Sequence, residues 1–152
     1  KKLEHSDLVL NAKSLIENET NLVSTLANVS ALIHEHWKEI ALWTGFYLVQ
    51  NNQLELGPFQ GPIACTTIQK GKGVCGTSWA EKRTIIVKNV HEFEGHIACS
   101  SLSNSEIVVP IIENEKVIGV LDIDSEKFDA FTPKHQKDLE LICKLISEQF
   151  FR

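Results

Sequence analysis

The chain has 152 residues, 43% of them hydrophobic, and carries 15 Lys and Arg against 20 Asp and Glu, a formal charge of −5. That length buries a core without disulfide or metal staples, so a single domain over residues 1–152 is expected. Scattered positive charge excludes a general nucleic-acid binder, whose phosphate affinity rests on clustered Lys and Arg.

Apolar residues recur at helical spacing at Leu8, Ala12, Leu15 and Ile16, and again at Leu22, Val23, Leu26, Val29, Ile33 and Trp37. This predicts two amphipathic helices within residues 1–38. Ala41 to Gln50 is rich in aromatic and β-forming residues, and Asn51-Asn52 marks a turn into Leu54-Glu55-Leu56, the pattern of a hairpin. Gly57 to Pro62 then reads as a loop, Ile63 to Ile68 as a short strand, and Lys70-Gly71-Lys72-Gly73 as a break. Val74 to Lys82 follows as a helix and Thr84 to Val87 as a strand, leaving Lys88 to Asn104 as a loop. The strongest hairpin comes next, with Ile107–Ile112 and Lys116–Asp124 flanking Glu113-Asn114-Glu115. Pro110 implies an edge or a bulge there. Thr132-Pro133 supplies an N-cap and a first-turn proline for a closing helix through residue 150, whose apolar face includes Leu139, Ile142, Cys143, Ile146 and Phe150. Helices, then antiparallel strands and active-site loops over 41–124, then a helix over 132–150 predict an α+β fold with helices gathered on one face of the sheet.

Lys1-Lys2-Leu3-Glu4-His5 contains no apolar signal core, and no apolar run reaches membrane-spanning length, so a cytoplasmic location without a membrane partner is expected. In that compartment stable disulfides are disfavoured, and cysteines serve metal, catalytic or sensing roles more often. Cys65, Cys75 and Cys99 lie where loops meet structure, in Pro62-Ile63-Ala64-Cys65, Gly73-Val74-Cys75-Gly76 and His96-Ile97-Ala98-Cys99. Cys143 instead reads as a small core residue. Spacing alone leaves each of the three free either to pack or to react. Small neighbours Ala98, Ser100 and Ser101 give Cys99 little to pack against, and a nearby His96 imidazolium would favour its thiolate. Zinc ligation by Cys65, Cys75, Cys99, His91 and His96 lacks the closely paired spacing of structural sites. His34 and His36 read as solvated surface.

Strand alternation sends Asp122 and Asp124 to one face, with Glu106 starting the neighbouring strand. Three acids sharing a pocket would hold at least one neutral carboxyl able to donate a proton. The alternative is a set of strand-end acids facing water, since apolar Ile123 between them puts their face opposite the core unless it lines a cavity. Lys70 to Thr77 has the form of a loop entering a helix N-terminus, suited to a small anion such as an amino-acid carboxylate, or else a plain glycine turn. Trp43 and Tyr47 share a strand face and either wall an apolar slot or pack as core.

Trp43-Thr44-Gly45-Phe46-Tyr47, Gly57-Pro58-Phe59-Gln60-Gly61, Ala64-Cys65, Gly71-Lys72-Gly73-Val74-Cys75-Gly76, Gly95-His96-Ile97-Ala98-Cys99, Ser105-Glu106-Ile107-Val108-Val109-Pro110 and Gly119-Val120-Leu121-Asp122-Ile123-Asp124-Ser125 together resemble the free methionine-(R)-sulfoxide reductases, built on a GAF domain. The resemblance spans nearly the whole chain. It implies a GAF-like antiparallel sheet with the terminal helices on one face and a loop-enclosed pocket on the other. It further implies a homodimer that reduces the free amino acid, with thioredoxin, drawing ultimately on NADPH, as external reductant, and with neither bound cofactor nor metal. By position, Cys99 matches the attacking cysteine, Cys65 the resolving partner and Cys75 a further exchanging thiol. Glu106, Asp122 and Asp124 match the pocket carboxylates, Trp43 and Tyr47 the wall around the substrate methyl, and Gly73 and Val74 fall at the expected anion-binding turn. The chain departs from the family pattern at Ser100, where Asp is common, and at Asn89 and Glu94, where Asp and Pro are. The alternative is a non-catalytic GAF-type sensor of a small ligand or of redox state.

Overall fold

The computed structural model describes residues 5–97 and 99–151. Helices α1 (Asp7–Ile16) and α2 (Leu22–His36) open the chain, close to the ranges the periodicity predicts. Their starts are fixed locally. Ser6 Oγ accepts from the Val9 amide at 3.2 Å, and Asn21 Oδ1 from the Ser24 amide at 2.9 Å, satisfying first-turn donors that the helix itself leaves free.

Strands β1 (Trp43–Gln50) and β2 (Gln53–Gln60) form a hairpin about Asn51 and Asn52, both at positive φ as a two-residue turn requires. β3 (Thr67–Ile68) adds two residues, helix α3 (Gly73–Glu81) follows, and β4 (Ile85–Val87) leads into the long hairpin β5 (Ser105–Glu113) and β6 (Lys116–Ser125). Helix α4 (Pro133–Phe150) closes the chain. The strand order is β3-β2-β1-β6-β5-β4, with every pairing antiparallel. Among the described residues, no helix is long and apolar enough to cross a membrane.

Two strand expectations shift. Gly57-Pro58-Phe59, read as loop, continues β2, because a bulge opposite Gly45–Tyr47 absorbs the irregularity and β3 reaches only Leu54 and Glu55, leaving Pro58 on an open edge. The strand expected over Ile63–Ile68 shrinks to Thr67–Ile68. Of the edge or bulge that Pro110 implies, the structure shows an edge, since β4 pairs with β5 only as far as Val108.

Each face of the sheet carries its own core. Phe46, Ile107, Val109, Ile111, Leu121 and Ile123 pack against α1, α2 and α4 through Leu8, Leu26, Ile33, Leu139 and Ile146. On the opposite face Trp43, Tyr47, Leu54, Val108 and Val120 meet Val74, Cys75 and Trp79 of α3. Cys143 belongs to the helical side, buried as expected. His34 departs from its solvated assignment: it is half-buried, and its Nδ1 lies 2.9 Å from Oγ1 of fully buried Thr44.

Candidate active site

Alternation along three adjacent strands builds the pocket floor. Trp43 lies opposite Asp124, which lies opposite Glu106; one same-facing step along, Gly45, Asp122 and Val108 form the next row, and Tyr47 faces Val120 in the one after. A two-residue period thus delivers two aromatics and three acids to a single side. The walls come from Ile63 and Ala64, from the start of α3 at Lys72, Gly73, Val74 and Cys75, and from the loop holding His96, Ile97, Cys99, Ser100 and Ser103.

The aromatic wall is a three-ring stack. Trp43 lies 5.9 Å from Tyr47 and 5.2 Å from Phe59, near-parallel to both. Gly45 is required beneath it: a methyl there would collide with Phe59 Cβ and fall 2.6 Å from the Trp43 ring. Tyr47 Oη donates to the Cys65 carbonyl at 2.8 Å, tying the floor to the cysteine loop.

Cys65 and Cys99 are joined in a disulfide with Cα atoms 5.5 Å apart, across 34 residues of sequence. Cys99 is exposed and also lines the pocket, whereas Cys65 is half-buried. Ala98, read as one of the small neighbours of Cys99, lies outside the described residues. Cys75 stays a free thiol, buried in the first turn of α3.

The acids are not strand-end groups facing water. Glu106 and Asp122 are each 5% exposed and Asp124 is partly buried, because α3 and the loop after β4 cover this face. Burial pushes all three carboxyls well above the usual range, and a neighbouring acid adds to each: Asp124 for Glu106, Glu106 for Asp122, and Asp122 for Asp124. These carboxyls therefore hold their protons more tightly than free ones do. Burial, with Asp122 next, also raises the Cys75 thiol and the Tyr47 phenol. Ser103 Oγ donates to Asp124 Oδ1 at 3.3 Å. His96 Nε2 sits 3.7 Å from Glu106 Oε1, and burial lowers the imidazole as it raises the carboxyl, so both shifts work against an ion pair here.

At the pocket's far side, α3 begins with Lys72 as N-cap, whose side chain makes no capping hydrogen bond. The amides of Gly73, Val74 and Cys75 are thus the free donors that a helix start offers to an anion. Gly73, at φ +62, makes the entry turn while Ile97 covers it.

All the sequence-derived site residues are gathered here: Cys99, Cys75, Glu106, Asp122, Asp124, Trp43, Tyr47, Gly73 and Val74 line the pocket, and Cys65 is bonded to Cys99 at its edge. His91 is elsewhere, with Nε2 2.8 Å from Asn104 Oδ1 on the surface. The sequence reading passed over Phe59, Ser103 and Lys72 as site residues. Phe59 carried a signal, an aromatic just beyond an alternating strand, hidden by the bulge that shifts it onto the pocket face.

The GAF domain family matches residues 19–148. The chain belongs to that family and groups within it with the free methionine-R-sulfoxide reductases. It is 46% identical to the free methionine-R-sulfoxide reductase of Escherichia coli, over 93% of this chain and 86% of that one. Among solved structures, the fRMsr of Staphylococcus aureus in its reduced form is 51% identical with a TM-score of 0.88, covering 93% of this chain and 92% of that one. The free methionine-R-sulfoxide reductase from Neisseria meningitidis, in complex with its substrate, is 40% identical with a TM-score of 0.91, covering 98% and 95%.

Proposed function

We propose that the chain is an oxidoreductase that reduces free L-methionine-(R)-sulfoxide to methionine. The observation that carries the reading is a disulfide whose exposed cysteine, Cys99, borders a pocket floored by three buried acids with raised proton affinity. In the reduced protein the Cys99 thiolate attacks the sulfoxide sulfur while a carboxyl of Glu106, Asp122 or Asp124 protonates the oxygen. The sulfoxide sulfur gains two electrons and leaves as methionine, and Cys99 keeps the oxygen as a sulfenic acid. Cys65 then attacks that sulfur, water departs, and the Cys65–Cys99 disulfide forms. Thioredoxin, supplied ultimately by NADPH, reopens it with two electrons and two protons, and Cys75 is a thiol through which oxidation can pass on.

Substrate recognition follows from the same walls. The Trp43 and Tyr47 rings hold the methyl, the first-turn amides at Gly73 and Val74 hold the carboxylate, and the acids hold the ammonium. The ammonium also resolves a conflict: an acidic pocket opposes a thiolate, and a bound cation neutralises one carboxylate just before attack. The family resemblance supports a cytoplasmic homodimer acting under oxidative stress.

The test mixes the protein with racemic free methionine sulfoxide, thioredoxin, thioredoxin reductase and NADPH. NADPH loss equal to the R epimer alone is expected. Loss with neither epimer overturns the reading and favours the small-ligand sensor.

A further inference from the structure

The pocket has more donor atoms than the reaction uses. One ammonium engages one carboxylate and one proton donor serves the oxygen, yet three acids are gathered, together with a thiol that takes no part in the attack. Cys75 Sγ and one carboxylate oxygen each of Glu106 and Asp122 lie within 4.8 Å of one another, all in buried residues. The Asp122 carboxyl shares hydrogen bonds with Cys75, Glu106 and Asp124, yet its Oδ1, sealed from solvent, has no hydrogen-bond partner among the described residues. His96 Nε2, 3.7 Å from Glu106 Oε1, places an imidazole at the margin of the same cluster.

We propose that Cys75, Glu106 and Asp122, with His96 as the fourth donor, form a binding site for a thiophilic divalent cation of the zinc class, inside the substrate pocket. One sulfur, one imidazole and two carboxylates are a donor set suited to tetrahedral zinc and poor for magnesium or calcium, which take oxygen alone. Bonds of ~2.0–2.3 Å hold tetrahedral donors roughly 3.3–3.6 Å apart, so donors now within 4.8 Å of one another must draw together around the ion. The dication neutralises two of the buried acidic groups and satisfies the stranded Asp122 oxygen. This set differs from the zinc ligation that spacing in the sequence disfavours, because the fold joins Cys65 and Cys99 in the disulfide and sends His91 to the surface. Occupancy would exclude the substrate ammonium from the same carboxylates, a consequence that rests on the proposed reaction; metal binding itself does not.

The experiment titrates cobalt(II), then zinc(II), into protein with the Cys65–Cys99 disulfide intact, so that only Cys75 and deeply buried Cys143 remain as thiols. Expected are one cobalt per chain with a thiolate-to-metal charge-transfer band, and displacement of that band by zinc. Cys75→Ser should remove the band and weaken zinc at least ~100-fold, beyond the 10–100-fold cost of losing an outer-shell partner. Asp122→Asn should weaken zinc while keeping the band, and circular dichroism establishes that both variants fold. Absence of the band in the parent protein, or unchanged zinc affinity in Cys75→Ser, overturns the site. Free methionine should compete with zinc; tight zinc binding without that competition supports the metal site and overturns the placement of the ammonium, so the two readings fail separately.

Discussion

The two faces of one sheet obey the same alternation and end in opposite chemistry. On β6, Leu121 and Ile123 point to the helices while Asp122 and Asp124 point to the pocket; on β5, Ile107 and Val109 stand against Glu106 and Val108. The helical side is a close-packed apolar core whose loss costs stability. The pocket side is buried too, but with groups that resist burial, which is the arrangement that shifts pKa values and accumulates at functional sites. Substitutions on the pocket face should therefore act chiefly on rate, and those on the helical face chiefly on stability.

The sharpest break of that contrast is at the pocket's mouth. Cys99→Ser should lower kcat/KM by more than ~10^4-fold, the scale of losing a nucleophile, with the melting temperature of the reduced protein unchanged. Retained turnover would displace Cys99 from its role.

Next comes the acid row. Asp122→Asn should cost roughly 10^2–10^4-fold in kcat, the range for general acid–base groups. Stability should move the other way. A carboxyl raised in the folded state binds more protons than in the unfolded chain between the two pKa values, so folding weakens as pH rises from the ordinary carboxylate range through the raised value, and holds best below it. Melting the parent protein at mildly acidic and at mildly alkaline pH should show that decline. The Asn variant should flatten it, and an unchanged slope would remove Asp122 from the cluster's proton balance.

Ile123→Ala, one residue away but facing the helices, should cost about 2–5 kcal/mol by chemical denaturation, because a fully buried side chain leaves a cavity. Its kcat/KM at low temperature should stay within about threefold of the parent if the faces are independent, as residues without shared partners usually are. A larger kinetic effect than that of Asp122→Asn would invert the comparison.

Alternation made much of this legible from the sequence. The helices at both ends, the two hairpins and the shared face of Asp122 and Asp124 follow from periods of 3.6 and 2, and Pro110 announced an edge or a bulge. What covers a face is a different kind of information. Ile123 between two acids says only that they face away from it, and whether that side meets water depends on where α3 and the loop after β4 come to rest. Phe59 was obscured by the one-residue slip of a bulge, and His34 by a single tertiary hydrogen bond to Thr44. The pairing of Cys65 with Cys99 spans 34 residues and came only from family resemblance, not from spacing.

Gly45→Ala probes the floor at smaller scale. The added methyl must displace the Trp43 ring or Phe59, so KM should rise about tenfold, equivalent to ~1.4 kcal/mol of lost binding, with kcat less affected. Equal effects on both constants would mean that the ring also orients the sulfoxide for attack.

The smallest effect expected is at Tyr47→Phe. The ring stays in its stack, and only the phenolic donor to the Cys65 carbonyl goes. An intramolecular hydrogen bond of this kind contributes about 0.5–1.5 kcal/mol, so global stability should fall by no more than that. Its kinetic reach should be confined to the second half of the cycle, because the bond holds the loop that carries the resolving thiol. Single-turnover methionine release should be unchanged, whereas disulfide closure, followed by trapping free thiols after one equivalent of sulfoxide, should slow by a few-fold. Slowed methionine release with normal closure would instead assign the phenol to substrate, and would make the pocket floor, rather than the loop it anchors, the partner of that hydroxyl.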